Sequence, residues 1–160
     1  LKYNFALFLG DLVIDKGYLL KPEVNKKIIE ILLQSEGPKV GDRLPDGKVI
    51  TTVDEDSHEW QEIVEGRSHM LLELIKNCEK DLKKEDFEAI SSLAALSPYL
   101  EVKRYLIELK GDYKRCFEFY MDQSSSSKKK NLFPWLRGVL PTLQKAEFDV
   151  LRDSVLKYLK

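Results

Sequence analysis

Apolar residues recur at intervals of three and four along most of this 160-residue chain, and this spacing constrains the fold more than any other feature. Val24, Ile28 and Leu32, for example, would lie along one side of an α-helix. Similar stripes recur in segments that are separated mostly by short breaks at glycine or proline. The segments are residues 1–15, 22–36, 59–82, 87–97, 102–109, 113–120, 132–140 and 148–159. The sequence therefore predicts an all-α fold of roughly eight helices.

The predicted helices are joined mostly by short turns, which favour antiparallel packing of helices that are neighbours in sequence. No alternation of strands and helices is present, so the pattern argues against a parallel sheet. We expect antiparallel helical hairpins stacked as a short α-solenoid, with residues 1–160 forming a single helical-repeat segment. The chain does not begin with Met, and it opens and closes in helix-forming sequence. We therefore interpret it as a fragment of a larger protein.

Two segments interrupt the helical pattern. Residues 39–57 contain Gly41, Pro45 and Gly47, which exclude a long helix, and a β-prone run at Val49–Val53. We predict a long inserted loop there, with room for a small β-hairpin. Residues 122–131 contain serines followed by lysines and offer no apolar side chain to bury. Both segments are expected to be flexible loops.

The first predicted helix contains a glycine near its middle. Phe5, Leu9, Leu12 and Val13 are spaced for one face of this helix. Gly10 lies among them, where glycine costs about 1 kcal/mol relative to alanine. We expect that a neighbouring element packs closely against Gly10.

Charge and cysteine usage narrow the class of protein. The 26 Lys and Arg residues are balanced by 27 Asp and Glu residues, so the chain lacks the basic excess typical of nucleic-acid-binding proteins, and no nucleic-acid partner is expected. Cys78 and Cys116 fall on apolar stripes without a CxxC pairing, which predicts buried thiols and a reducing, cytoplasmic location. No apolar run reaches the roughly 20 residues of a membrane span. Lys128–Lys130 would attract anionic lipid only weakly, so membrane association is expected to be peripheral at most.

Catalytic and metal-binding patterns are scarce. Neither of the two histidines lies in an HExxH motif, and the chain has no P-loop, GxGxxG or GxSxG motif. Positions 1, 3, 5 and 12 of a calcium-binding loop would be Asp54, Asp56, His58 and Glu65. Position 6 would be Glu59, although the sharp turn there calls for glycine, so we interpret the segment as a helix N-terminus. We expect no catalytic residue, no metal, no cofactor and no enzymatic activity.

Aromatic residues concentrate between positions 99 and 120. They are Tyr99, Tyr105, Tyr113, Phe117, Phe119 and Tyr120. Packing between helical hairpins would bury them, whereas a groove for a partner helix would leave part of them exposed. A stacking surface for single-stranded RNA is a third interpretation, because Lys103, Arg104 and Lys110 are nearby. The sequence leaves the alternatives of core and groove open.

Residues 105–120 resemble the hairpin of a helical repeat. In Tyr105–Tyr113 one predicted helix ends at a Gly-Asp-Tyr turn, and Cys116–Tyr120 carries aromatic residues that would pack back, as in tetratricopeptide-like and clathrin-heavy-chain-like repeats. Residues 132–143 and 156–159 are similar to the clathrin-like repeat region of large vacuolar protein sorting subunits in endolysosomal tethering complexes. The resemblance covers residues 98–160. It implies an elongated α-solenoid that assembles with other protein subunits and has no active site.

These observations together predict a scaffold for protein–protein interaction. We expect a subunit segment of a vesicle coat or membrane-tethering complex in intracellular trafficking, located in the cytoplasm and at most peripherally on endosomal or lysosomal membranes. The alternatives are a generic helical-repeat adaptor that binds a peptide or helix, and a helical accessory domain of an enzyme. The residues expected to bind partners, and to cause self-association of the isolated chain, lie in the two terminal helices: Phe5, Leu9, Leu12, Val155 and Leu159.

Overall fold

The computed structural model describes residues 2–34, 37–44, 47–51, 54–123 and 129–159, and these residues form eight α-helices. The helices are α1 (Lys2–Lys16), α2 (Pro22–Gln34), α3 (His58–Cys78), α4 (Lys84–Ala95), α5 (Leu100–Leu109), α6 (Tyr113–Met121), α7 (Leu132–Val139) and α8 (Lys145–Leu159). Short 3-10 turns follow α3 at Glu79–Asp81 and α7 at Leu140–Thr142. Within the described residues the remaining regular pairing is an isolated antiparallel bridge between Arg43 and Val49. The all-α prediction is therefore confirmed.

The chain divides into two compact units, residues 1–103 and residues 104–160. In the first unit, α2 packs against α1, α3 and α4, and α1 also packs against α3. The core of this unit is aliphatic because α2, α3 and α4 turn their apolar stripes inward. Its fully buried side chains include Ile29, Leu71, Leu74, Ile75 and Ile90.

Helix α1 turns small residues toward the core. Ala6, Gly10 and Val13 are buried, whereas Phe5 on the opposite side is 61% exposed. The sequence predicted that Val13 shares a face with Phe5, and this prediction is wrong because Val13 faces the core. A Cβ atom built on Gly10 would lie 2.9 Å from Cγ of Met70 and closer still to its Sδ. The expected close packing at Gly10 is confirmed, and its neighbour is α3.

We expect Gly10→Val to destabilise the first unit by about 1–3 kcal/mol, because the added methyl groups would push Met70 out of its packed position. In a Met70→Ala background the same substitution should cost less than half as much, since the space beside position 10 is then open. Urea denaturation of the four proteins in this double-mutant cycle measures the difference. An equal cost in both backgrounds would show that Met70 does not require the glycine.

The segment between α2 and α3 packs against the first unit through two apolar side chains. Leu44 and Ile50 are buried with Ile63 of α3. Backbone hydrogen bonds from Leu44 N to Lys48 O (2.7 Å) and from Ile50 N to Asp42 O (2.9 Å) fold this segment into a small hairpin-like turn. The β-prone residues Thr52 and Val53 lie outside the described residues.

An arginine of α3 forms an ion pair with the same segment and also contacts α1. Arg67 of α3, with its side chain only 10% exposed, donates a 2.7 Å hydrogen bond to Oδ2 of Asp42. Its guanidinium carbon lies 5.1 Å from the centre of the Tyr3 ring in α1. It also lies beside the Tyr99 hydroxyl. Burial raises the pKa of Tyr99, and the neighbouring Arg67 charge opposes part of that rise. Arg67 therefore connects two helices, the inserted segment and the start of α5.

The second unit is built around aromatic residues of α6. Phe117 and Tyr120 are buried with Leu132, Val139 and Leu151. The Phe117 ring meets the Tyr158 ring edge-on at 5.4 Å, and the Tyr120 ring lies 5.7 Å from Trp135. In the first unit, Tyr99 is also buried. Tyr99, Phe117 and Tyr120 are thus core residues, while Tyr105, Tyr113 and Phe119 are only partly buried.

Local sequence explains where several helices begin. The Ser57 hydroxyl accepts a 3.2 Å hydrogen bond from Trp60 N and caps α3, and the helix N-terminus predicted in this segment is confirmed. Asp112 caps α6 in the same way by accepting from Arg115 N at 3.1 Å. Gly111 before it adopts φ 76°, a left-handed conformation that glycine takes at little cost. These contacts produce the tight break between α5 and α6. Of the serine and lysine spacer, residues 124–128 lie outside the described residues.

Candidate protein-binding face of the first helix

The residues predicted to bind partners lie in different surroundings. Phe5, Leu9 and Leu12 come together on the side of α1 that faces away from its core contacts, with Leu9 and Leu12 half-buried. Val155 of α8 packs against the aromatic core of the second unit. Leu159, near the end of α8, is 76% exposed. Helix α1 therefore assembles three of the five predicted residues into one surface.

A fourth residue, Phe8, completes this surface. Its ring is 55% exposed and stacks on Phe5 with 6.5 Å between ring centroids and 28° between ring planes. The sequence analysis missed Phe8, although it stands three residues after Phe5 and four before Leu12, the spacing of neighbours on one helix face. We define the outer face of α1 as Phe5, Phe8, Leu9 and Leu12.

The outer face is unusual because α1 already has a buried side. Its core contacts are made by Ala6, Gly10 and Val13, so the larger aromatic residues are left for the surface. Single exposed apolar residues are ordinary in folded proteins, but adjacent ones that form a continuous strip mark interaction sites. Two stacked phenylalanine rings beside two leucines form such a strip on one helix.

Two carboxylates lie along one edge of the outer face. Asp11 and Asp15 follow Phe8 at the i+3 and i+7 positions, so they continue its row toward the end of α1. In the part of the chain that the structure describes, neither carboxylate makes an ion pair or a side-chain hydrogen bond. Partial burial and the neighbouring Asp15 charge raise the pKa of Asp11 above its ordinary value. We call Asp11 and Asp15 the acidic edge.

The acidic edge is locally unfavourable for helix stability. Like charges four residues apart destabilise a helix by about 0.2–0.5 kcal/mol. Negative charge near a helix C-terminus also opposes the helix dipole, at a cost of about 0.3–1 kcal/mol. Lys16 is the basic residue of the last turn, but helical spacing places it at the other edge of the outer face. Lys16 therefore offsets part of the dipole at the end of α1, but among the described residues it forms no ion pair with either carboxylate of the acidic edge.

A shallow pocket of about 270 Å³ opens where α1 ends against α3. Gly17, Tyr18 and Leu19 form one wall, and His69, Glu73 and Asn77 form a row along α3. Gly17 adopts φ 67° and ends the helix. Glu73 lies 4.0 Å from Lys76, the limit of an ion pair, and both side chains are well exposed. The pocket holds polar groups that could accept hydrogen bonds, and its lining contains no Ser, Thr or Cys side chain.

The exposed apolar residues of α8 are interrupted by charged ones. Phe148 and Leu156 are partly exposed, and Arg152 lies between them in ion pairs with Asp149 (3.3 Å) and Asp153 (3.2 Å). The charged side chains on this side of α8 thus form ion pairs within the helix and interrupt its apolar surface. The outer face of α1 is the more continuous apolar surface of the two terminal helices.

The residues that the sequence analysis considered for metal binding, and the two cysteines, do not come together in a site. Asp54 and Asp56 are exposed in the turn before α3, where the backbone carbonyl of Asp54 accepts a hydrogen bond from Ser57 Oγ at 2.7 Å. Among the described residues, no three His, Cys, Asp or Glu side chains converge in a group that could hold a metal ion. Burial raises the pKa of Cys78 to about 11 and that of Cys116 to about 12, so both thiols stay protonated at neutral pH. Both are buried, as predicted.

Comparisons of the chain with protein-family models, with curated proteins and with solved structures found no match. Among the helices in the described ranges, none combines the length and the apolar character needed to cross a membrane.

Proposed function

We propose that this chain is a scaffold segment that acts by binding other proteins, as part of a vesicle coat or membrane-tethering complex in the cytoplasm. The observation that supports the proposal most directly is the outer face of α1, where two stacked phenylalanines are more than half exposed. Aromatic side chains are enriched at the centres of protein interfaces because they bury much apolar area at a small cost in conformational entropy.

We further propose that the helical hairpins stack as a short α-solenoid. In the first unit, α2 contacts its sequence neighbours α1 and α3, and the contacts of α1 with α3 and of α2 with α4 skip only one helix. Such local contacts are typical of repeat architectures, in which each hairpin packs mainly on the next. The Gly-Asp-Tyr turn before α6, with its Asp112 cap, supports the resemblance to clathrin-like and tetratricopeptide-like hairpins.

The experiment that tests this function is affinity capture of the protein from its native cells, followed by quantitative mass spectrometry. We expect other subunits of one coat or tethering complex to be recovered with it in nearly equal molar amounts. The variant Phe5→Ser/Phe8→Ser should lose at least one of these subunits, because it removes the centre of the outer face. Phe133→Ser, which changes an equally exposed phenylalanine of α7, is the matched control and should retain them all.

Two results would contradict the proposal. Recovery of the protein as a monomer, without other subunits, under gentle conditions would contradict the scaffold function. Recovery with a catalytic subunit alone would favour the alternative of an enzyme accessory domain.

A further inference from the structure

We propose that the outer face of α1 binds an amphipathic helix of a partner protein whose apolar stripe is flanked by lysine or arginine. The inference rests on the proposed scaffold function and specifies the chemistry of the partner. It is carried by two features of the same helix surface, the apolar outer face and the acidic edge beside it.

The apolar part of the surface matches one side of a helix. Phe5, Phe8, Leu9 and Leu12 stand at the i, i+3, i+4 and i+7 positions, so they form a strip that extends over two turns. A partner helix laid along this strip would insert its own i, i+3, i+4 and i+7 anchors between them. The stacked rings of Phe5 and Phe8 would be the largest group that such a partner covers.

The acidic edge determines which sign of charge a partner must carry beside its apolar stripe. Asp11 and Asp15 lie on one edge, and within the described residues they have no cationic partner of their own. The carbonyl end of α1, just beyond Asp15, adds negative potential of the same sign. A lysine or arginine beside the partner's apolar stripe would neutralise this edge, which now disfavours the free helix. Complementary charge of this kind chiefly sets specificity and orientation.

Two other occupants fit this surface less well. A bilayer rich in anionic lipid would meet the two carboxylates with the same sign of charge, which opposes binding. A second copy of the chain that used the same face would bring two carboxylates together with Lys2 and Lys16, so its first helix offers no net positive charge to the acidic edge. A basic helix is the occupant that satisfies the apolar strip and the acidic edge together.

The test uses the 160-residue chain and two synthetic helical peptides of 18 residues. One peptide places leucine at i, i+3, i+4 and i+7 with lysine elsewhere, and the other replaces every lysine by glutamate. Fluorescence anisotropy measures the affinity of each labelled peptide. We expect the lysine peptide to bind at least about tenfold more tightly than the glutamate peptide, since the two charge contacts would be attractive in one case and repulsive in the other.

Variants of the chain locate the binding. Asp11→Lys/Asp15→Lys should reverse the preference between the two peptides, and the milder Asp11→Asn/Asp15→Asn should abolish it. Phe5→Ser/Phe8→Ser should weaken both peptides by about tenfold or more, because it removes most of the apolar anchor. Phe133→Ser should leave both affinities unchanged. Far-UV circular dichroism of each variant verifies that the helices remain folded.

Several outcomes would overturn the inference. These are an absence of binding to the lysine peptide, equal affinity for the two peptides, and binding that survives the Phe5 and Phe8 substitutions. Binding to phosphatidylserine vesicles that grows stronger in Asp11→Lys/Asp15→Lys and is lost in Phe5→Ser/Phe8→Ser would assign the face to a membrane. Dimerisation of the chain that is lost in Phe5→Ser/Phe8→Ser, measured by sedimentation, would assign the outer face to a second copy. If these tests fail while subunit capture succeeds, the scaffold function stands and only the basic helix is excluded.

Discussion

Replacing Asp42 by alanine is expected to destabilise the first unit by about 2–3 kcal/mol, because it leaves the charge of Arg67 buried without its counterion. The Arg67 side chain is only 10% exposed, so water cannot replace the carboxylate easily. The Asp42 carboxylate also accepts a 2.9 Å hydrogen bond from Lys39 N, which would be lost as well. A substitution in a connecting segment should therefore cost as much as one in a hydrophobic core.

The control for this experiment is Arg152, a surface arginine of α8. Its ion pairs with Asp149 and Asp153 are well exposed, so Arg152→Ala should change the free energy of unfolding by less than about 0.5 kcal/mol. The protein has two tryptophans, Trp60 in the first unit and Trp135 in the second. In a Trp135→Phe background, the fluorescence of Trp60 during urea denaturation reports on the first unit alone.

A second substitution separates the ion pair from other effects of Asp42. Arg67→Met keeps much of the aliphatic packing and removes the charge, and the Asp42 carboxylate left behind is exposed enough to be hydrated. The double variant Asp42→Ala/Arg67→Met should cost less than the sum of the two single variants. A cost for Asp42→Ala no greater than that for Arg152→Ala would contradict the role of the pair in holding the inserted segment.

The sequence was sufficient to predict the helices because their signals are local. The start of α3 near Glu59 follows from a capping serine and an apolar stripe, and the structure places the helix start at His58. The packing at Gly10 was also predictable, because a glycine inside a helix is costly unless close approach requires it. Such features depend only on residues within one or two turns of each other.

The contact between Asp42 and Arg67 could not be predicted in this way. The two residues are separated by 25 positions, and one of them lies in a segment without regular periodicity. Charged residues are usually exposed, so no local pattern indicates that either of them is buried. The contact becomes visible only when α1, α3 and the inserted segment are placed together.

The orientation of α1 was equally difficult to predict. Apolar residues occur on both of its sides, so periodicity does not identify the side that faces the core. The structure resolves this through size: Ala6 and Gly10 allow close approach to α3, while Phe5 and Phe8 remain outside. Side-chain volume at the helix contact, rather than hydrophobicity, decides which face is buried.

Replacing Phe117 by alanine should destabilise the second unit by about 3–5 kcal/mol. The Phe117 side chain is 3% exposed and contacts the Tyr158 ring edge-on, an arrangement worth about 0.5–1.5 kcal/mol beyond the burial of its area. Phe133→Ala is the matched control in the same unit, because Phe133 is 67% exposed. Its truncation should change the free energy of unfolding by less than about 0.5 kcal/mol. In a Trp60→Phe background, Trp135 fluorescence during urea denaturation measures both effects. Equal costs for the two phenylalanines would mean that α6 does not form the core of this unit, and the assignment of the aromatic residues to the core instead of a groove would have to be abandoned.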